Sequence, residues 1–327
     1  MKTVRNEKIV KLRVIAILLV VIGHSIIIFT PGWNTYQINE KNEILTIIKK
    51  FINIIQMPLF IMISGFLYNK TCEKHSFNEI FVEKLKRIII PFVCITIFWM
   101  VPIRYIAKYP YYSAGGYLTA VINCFLGKDS GHLWYLPTLF ILFILTYMIN
   151  KISYKKIVKI GTIILLFILS VFSVKLPTIC FLSQVCEYLI YFYIGFLYNK
   201  IDKNNKVLNI ICGILFVTLS FMVVFIVNEI NLNRILVILA GITGTYALYG
   251  LCSNKESTKL IKALDKNSFV IYLLHSPLIY IMYSRFSNIN PLLLISCNIA
   301  IAITIPIFIA IILRKIKINF IIGEKIK

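Results

Sequence analysis

Charged residues are scarce in this chain, at 15%, where soluble globular proteins run near a quarter. With 59% hydrophobic residues and a mean hydropathy of +0.84, that scarcity excludes a soluble globular protein. No polar stretch is long enough for a soluble domain; the longest non-spanning segment lies near 107–131. Paired cysteines are missing as well. The eight cysteines (72, 94, 124, 180, 186, 212, 252 and 297) are scattered without a C-x-x-C pair. Most lie in apolar runs, where cysteine acts as a small hydrophobe, so no metal site is expected. The first apolar run lacks a small-x-small cleavage pattern behind it, so it is expected to stay as a helix and not to be removed as a signal peptide.

Apolar runs of span length are what the chain has in quantity. About 20 residues of helix cross a hydrocarbon core roughly 30 Å thick. Runs of that kind fall at 12–29, 51–68, 88–106, 132–149, 157–174, 180–198, 207–228, 234–252, 268–285 and 291–313. They predict an all-α polytopic membrane protein with about ten transmembrane helices, forming one membrane domain over 1–327. The net charge of +22 raises nucleic acid as a partner, but its placement argues otherwise. Most of the 35 Lys and Arg residues fall in alternate segments: 1–13, 69–87, 150–156, 199–206, 253–267 and the tail from Arg314. Positive charge is retained on the inner side of membranes, so both termini are expected to be cytoplasmic. The bilayer, with its anionic headgroups, is then the partner of this charge, and no nucleic acid is expected.

Two stretches stand out along the chain. YYSAGGYLTAVINCFLG, from Tyr111, fits a short interfacial or re-entrant helix, and its tyrosines suit a headgroup-level belt. The hexapeptide GFLYNK occurs at 65–70 and again at 195–200. Either it marks a parallel repeat of four helices or it is a convenient way to end a helix at the inner interface.

Polar residues inside the spans are few, and ionisable groups there point to function by default. Arg13 and His24 share the first run with ten residues between them, about 16 Å along a helix axis. Arg13 sits at one face and His24 near the midplane. Glu187 is the one acidic residue clearly inside a predicted span, at a depth close to that of His24. A carboxylate there can orient the imidazole as in hydrolytic triads; alternatively Glu187 is paired elsewhere and holds the bundle together. His275 precedes Pro277, which bends its helix, and it serves either a stabilising hydrogen bond or catalysis. His132 begins the fourth run at the outer surface, where it could meet an acceptor or simply sit among headgroups. His75 lies in a basic loop and is expected to be solvated. Lys84 and Arg87 are three apart and share a face, and Arg13 emerges on the same side. Such a cluster binds phosphates, or it is only part of the general basicity of inner loops. Ser64 and Gly65 offer a small surface for close helix packing; Ser64 as an acyl-carrying nucleophile is the less favoured role.

Several segments together carry a resemblance: Arg13 with His24, PLFIMISGFLY at 58–68, KLKRIIIP at 84–91, HLWYLPTLF at 132–140 and SFVIYLLHSPL at 268–278. In order and spacing, over nearly the whole chain, they resemble the acyltransferase 3 family of multipass bacterial membrane proteins. The resemblance implies transfer of an acyl group, usually acetyl from cytoplasmic acetyl-CoA, to a hydroxyl of a cell-envelope polysaccharide or glycolipid. It implies that Arg13 and His24 form the catalytic motif, that Arg87 belongs to the donor site, and that the protein sits in the bacterial cytoplasmic membrane. Acyl-CoA is then a substrate, and no bound cofactor is expected. An esterase-like C-terminal extension, present in many relatives, is not seen. The chain is therefore expected to be a membrane module that acts alone or hands the acyl group to an envelope-biosynthesis partner.

The residues suit that chemistry. Neutral imidazole is poised as a general base near pH 7, with Glu187 as its candidate orienting group. CoA phosphates would dock near Arg13, Lys84 and Arg87. A pantetheine arm, roughly 15 to 20 Å on the extended-chain scale, then reaches the midplane. Two other readings compete. A transporter or flippase, exporting a glycan or small polar substrate without acyl transfer, also fits ten helices and a repeat, although so few intramembrane polar groups favour an enzyme. The third is a structural subunit of an envelope-synthesis complex.

Overall fold

In lipid, each backbone N–H and C=O must find its partner inside the segment, which leaves helices for a chain of this hydropathy. The computed structural model describes residues 6–33, 35–36, 41–110, 115–152, 155–198 and 205–325, and these contain helices and no strand. Among the described residues, ten helices are long and apolar enough to cross a membrane. They are α1 (Glu7–Phe29), α2 (Glu43–Cys72), α3 (Phe77–Ile106), α5 (Gly131–Ile152), α6 (Lys156–Lys175), α7 (Ile179–Leu197), α8 (Lys206–Phe225), α9 (Ile230–Leu251), α10 (Lys259–Phe286) and α11 (Pro291–Lys315). The shorter α4 (Gly116–Phe125) forms within the stretch expected to hold an interfacial helix; residues 111–114 lie outside the described residues. The ten-span all-α fold is thus as expected, but several helices outrun their apolar cores. α2 begins at Glu43 and α10 at Lys259, which brings Lys49 and Asp265 onto helices where the hydropathy pattern suggests loops.

α3 is irregular for a physical reason. Proline cannot donate to the helical ladder, and Pro91 and Pro102 each follow closely on a wide π-type turn, Leu85–Ile89 and Thr96–Met100. Such bulges re-aim side chains within a helix.

The chain divides into two compact units. The first comprises Met1–Ala16, Asn53–Lys84 and Thr138–Asp265. Its core gathers Ile9, Leu12, Leu59, Ile63, Phe66 and Tyr249. Here α2 and α7 touch backbone to backbone. A Cβ on Gly65 would lie 2.1 Å from the Phe192 carbonyl oxygen, and one on Gly195 would lie 2.2 Å from that of Met62. These two glycines open the two GFLYNK copies, so the shared Gly reflects reciprocal close packing; positions 199–200 of the second copy lie outside the described residues. α8 in the same unit is apolar with most of its surface open, as at Ile210 and Val217, the mark of a helix solvated by lipid.

The second unit comprises Ile17–Ile52, Leu85–Pro137 and Lys266–Lys327. Its interior contains Ile28, Met100, Val101, Leu133, Leu136, Ile271, Leu273 and Leu294, all buried. It also contains polar groups rarely buried without purpose: Lys49, Arg104, His132, His275 and Asn298.

Candidate active site

Three of the four histidines meet in the second unit. His24 of α1 lies edge-to-face with His275 of α10 at 5.0 Å between ring centroids, and His132 lies 4.9 Å from His275 and 6.4 Å from His24. His132 is 4% exposed and His275 fully buried, while His24 is half-buried. His132 therefore does not sit at the surface, where its place at the edge of an apolar run suggests it should. The one-turn 3-10 lead-in Gly131–Trp134 folds it inward.

One turn of α10 orients two of these rings. His132 Nε2 donates to the Leu273 carbonyl at 3.0 Å. His275 Nδ1 donates to the carbonyls of Tyr272 (2.8 Å) and Ile271 (3.0 Å). The Leu273 carbonyl is available because its helical donor would be the N–H of residue 277, and Pro277 has none. The proline expected to bend α10 thus also supplies an acceptor for His132. Because a carbonyl only accepts, each ring carries its proton on the bonded nitrogen, and in the neutral ring the other nitrogen is an acceptor. Those acceptors, His132 Nδ1 and His275 Nε2, are buried without a hydrogen-bond partner among the described residues. Hydroxyls of Tyr272 and Tyr283 donate to the backbone carbonyls of His132 and His24, which ties the three strands of chain together.

Cations attend this cluster. Lys49 of α2, 8% exposed, and Arg104 of α3 both act electrostatically on the His24 ring. No ion pair forms at Lys49 among the described residues. Arg104, 1% exposed, has its Nη1 3.1 Å from Asp129 Oδ1, and its guanidinium lies over the ring of Tyr109 at 4.4 Å. No group of three or more His, Cys, Asp or Glu among the described residues is arranged to hold a metal ion.

The remaining candidates lie apart from this constellation in role. In the first unit Arg13 Nη2 is 2.6 Å from Asp265 Oδ1, whose side chain is fully buried, while that of Arg13 remains 29% exposed. Glu187 has found the other of its two expected fates. Its carboxylate pairs with Arg234 Nη2 at 2.9 Å, and Arg234 also reaches Ser173 Oγ at 3.2 Å. Lys84 Nζ sits 4.5 Å from the Phe143 ring centroid, in the first unit, whereas Arg87 belongs to the π-type turn of α3 in the second. Ser64 makes the ordinary back-bond of a helical serine, 2.9 Å to the Phe60 carbonyl. His75 is an exposed partner of Glu79 at 3.7 Å.

A family model described as an acyltransferase domain, that of the acyltransferase 3 family, matches residues 11–312 of the 327. The chain belongs to that family. No curated protein and no solved structure matches it. Family membership makes this a multipass membrane acyltransferase.

Local sequence does not bring out several polar residues of the acyltransferase. Lys49 and Asp265 sit just outside the predicted apolar cores, and Arg234 opens one; Arg104 lies inside a span but near its end. The one available signal was charge adjoining an apolar run. A Lys or Arg in the first or last turns of a predicted span is as consistent with burial as with a headgroup contact.

Proposed function

We propose that this acyltransferase moves an acyl group, acetyl first among the candidates, from cytoplasmic acyl-CoA to a hydroxyl of a cell-envelope glycan or glycolipid. The cell membrane of a bacterium is the setting this reading requires, with both termini on the cytoplasmic side. The observation that carries it is the gathering of His24, His132 and His275 with two acceptor nitrogens open. A buried acceptor nitrogen without a partner is unfavourable in a static core, and an incoming hydroxyl is a donor that satisfies it.

In the reaction, His24 takes the proton as the acceptor oxygen attacks the thioester carbonyl. The C–O bond forms, the C–S bond breaks, and the proton passes to the departing CoA thiolate. The intervening tetrahedral oxyanion needs preorganised positive charge. Lys49, buried and without an ion-pair partner among the described residues, supplies it. Arg13, paired with Asp265 but still partly exposed, and Lys84 of the same unit serve for the CoA phosphates, and Arg87 keeps the donor-site role that the family resemblance implies. His132 and His275, with their protons held by carbonyls, present acceptor nitrogens that take hydrogen bonds from other hydroxyls of the acceptor, which leaves the proton of the reacting hydroxyl to His24.

The test is label transfer from radiolabelled acetyl-CoA into envelope glycan by membranes carrying the wild type or His24→Ala. Transfer by the wild type and its loss in the variant support the reading. Equal transfer by both would sink the general-base role. No transfer from acyl-CoA of any chain length would return the question to an export function.

A further inference from the structure

The second unit has an open cavity of about 400 Å³ with both apolar and polar lining, formed by Tyr109, Gly115, Gly116, Thr119, Ala120, Asn123, Lys128 and Asp129. Its size falls within the range of small-molecule sites, about 300–1,000 Å³. Its chemistry narrows the occupant. Thr119 and Asn123 offer both donors and acceptors, Asp129 accepts, and Lys128 donates. Among the lining side chains the charges of Lys128 and Asp129 cancel, with Arg104 on the other side of the Asp129 carboxylate. An apolar acyl chain would leave these groups unsatisfied, and an anion would meet the Asp129 carboxylate. A neutral ring bearing several hydroxyls matches a wall of one phenol and mixed polar groups.

The wall is held firmly. Arg104 lies over Tyr109, and Tyr109 stacks on Tyr280 at 5.7 Å with 22° between planes. From the floor the chain runs on to the imidazole cluster. Asp129 is three residues from His132, at most about 11 Å of chain. The turn is built on Gly131, whose φ is +52° and whose position a Cβ could not share with Arg104, since it would lie 2.1 Å from Nη2.

We infer that this cavity is a subsite for one neutral sugar unit of the acceptor, which sets the next hydroxyl at the imidazoles. The inference rests on the acyl-transfer reading for the meaning of acceptor, but sugar binding is measurable without it.

The experiment is saturation-transfer NMR on the full chain in lipid nanodiscs, with glucose and N-acetylglucosamine as probes and glucuronate as the anionic comparison. The wild type should show transfer to the neutral sugars. Thr119→Trp, which fills the cavity from an exposed position, should reduce it at least fivefold. Tyr109→Ala should do the same while Tyr109→Phe retains the signal. If Tyr109→Ala does not fold, Thr119→Trp decides alone. An unchanged signal in Thr119→Trp, a preference for glucuronate, or no neutral-sugar signal in the wild type would overturn the subsite. Acyl-CoA turnover is followed separately. A wild type that binds sugars without consuming acyl-CoA keeps the subsite and removes the transfer reading. Transfer to glycan with an acceptor KM unmoved by Thr119→Trp does the reverse.

Discussion

The Arg13 and His24 regions meet the same difficulty, polar groups within an apolar bundle, in opposite ways. At Arg13 the charge is answered by a carboxylate, Asp265, at 2.6 Å, and Glu187 is likewise answered by Arg234. At His24, among the described residues, no carboxylate joins the ring contacts; its ring neighbours are two more imidazoles, and the cation Lys49 acts on it without an ion-pair partner of its own. Paired charges hold helices in place, and breaking such a pair is expensive. Unanswered acceptors and cations keep their interaction energy for a substrate. The difference separates groups that stabilise the bundle from groups that act on what enters it.

The sharpest way to break this comparison is to exchange the two behaviours. His24→Ala should lower acyl transfer by about 10²–10⁴, the usual contribution of a general base, while the thermal unfolding temperature in detergent stays near that of the wild type. Glu187→Gln should do the opposite, lowering the unfolding temperature and leaving transfer within about threefold, well short of a general-base loss. Equal losses of transfer in both variants would restore Glu187 as the orienting group of His24.

Arg13→Ala is the next largest effect. It strands the buried Asp265 carboxyl, a loss of about 3–5 kcal/mol for a buried pair, toward the lower end because the Arg13 side chain is 29% exposed. Asp265→Asn in the same chain should restore much of that stability. A stability that does not move, with a raised KM for acyl-CoA, would assign Arg13 wholly to the donor phosphates.

Pro277→Ala gives the chain an N–H that competes with His132 for the Leu273 carbonyl. A loss of transfer of about fivefold is expected, comparable to one net hydrogen bond of roughly 1 kcal/mol, with 15N imidazole shifts of His132 moving toward a mixture of tautomers. Unaltered shifts would mean that the proline serves only the bend.

The smallest effect concerns a pair outside the bundle. Burial disfavours ionisation of Glu324, but hydrogen bonding and the charge of Arg314 outweigh it and hold its carboxyl below the ordinary range. A lowered folded value means that this pair stabilises the C-terminal turn above the ordinary carboxylate range, near pH 4.3, and is lost as pH falls through the lowered value. Amide exchange at Gly323 and Glu324, whose N–H groups bond within the turn, should accelerate over that acid window and not above it.

Helices were legible because span-length apolar runs have few other solutions in lipid. Their ends were not, since Glu43–Lys50 and Lys259–Lys266 are polar enough to read as loops. That is why Lys49 and Asp265 escape a hydropathy reading. Spacing along a helix axis was legible too, since Arg13 and His24 do share α1. Azimuth was not. Residues 24, 132 and 275 meet through contacts separated by more than a hundred positions, and no local period encodes them. Glu187 shows the same limit from the other side: an expected depth close to that of His24 does not name its partner, which is Arg234.

The carbonyls of residues 271–274 in α10 anchor His132, His275 and, through Leu274, the indole of Trp99 at 3.1 Å. These anchors are main-chain atoms, so they belong to the path of the α10 backbone and not to its side chains. Substitutions of the side chains at Ile271 and Leu273 would therefore leave both imidazoles their acceptors, and the 4.9 Å spacing of the rings is written into the helix and not into its sequence.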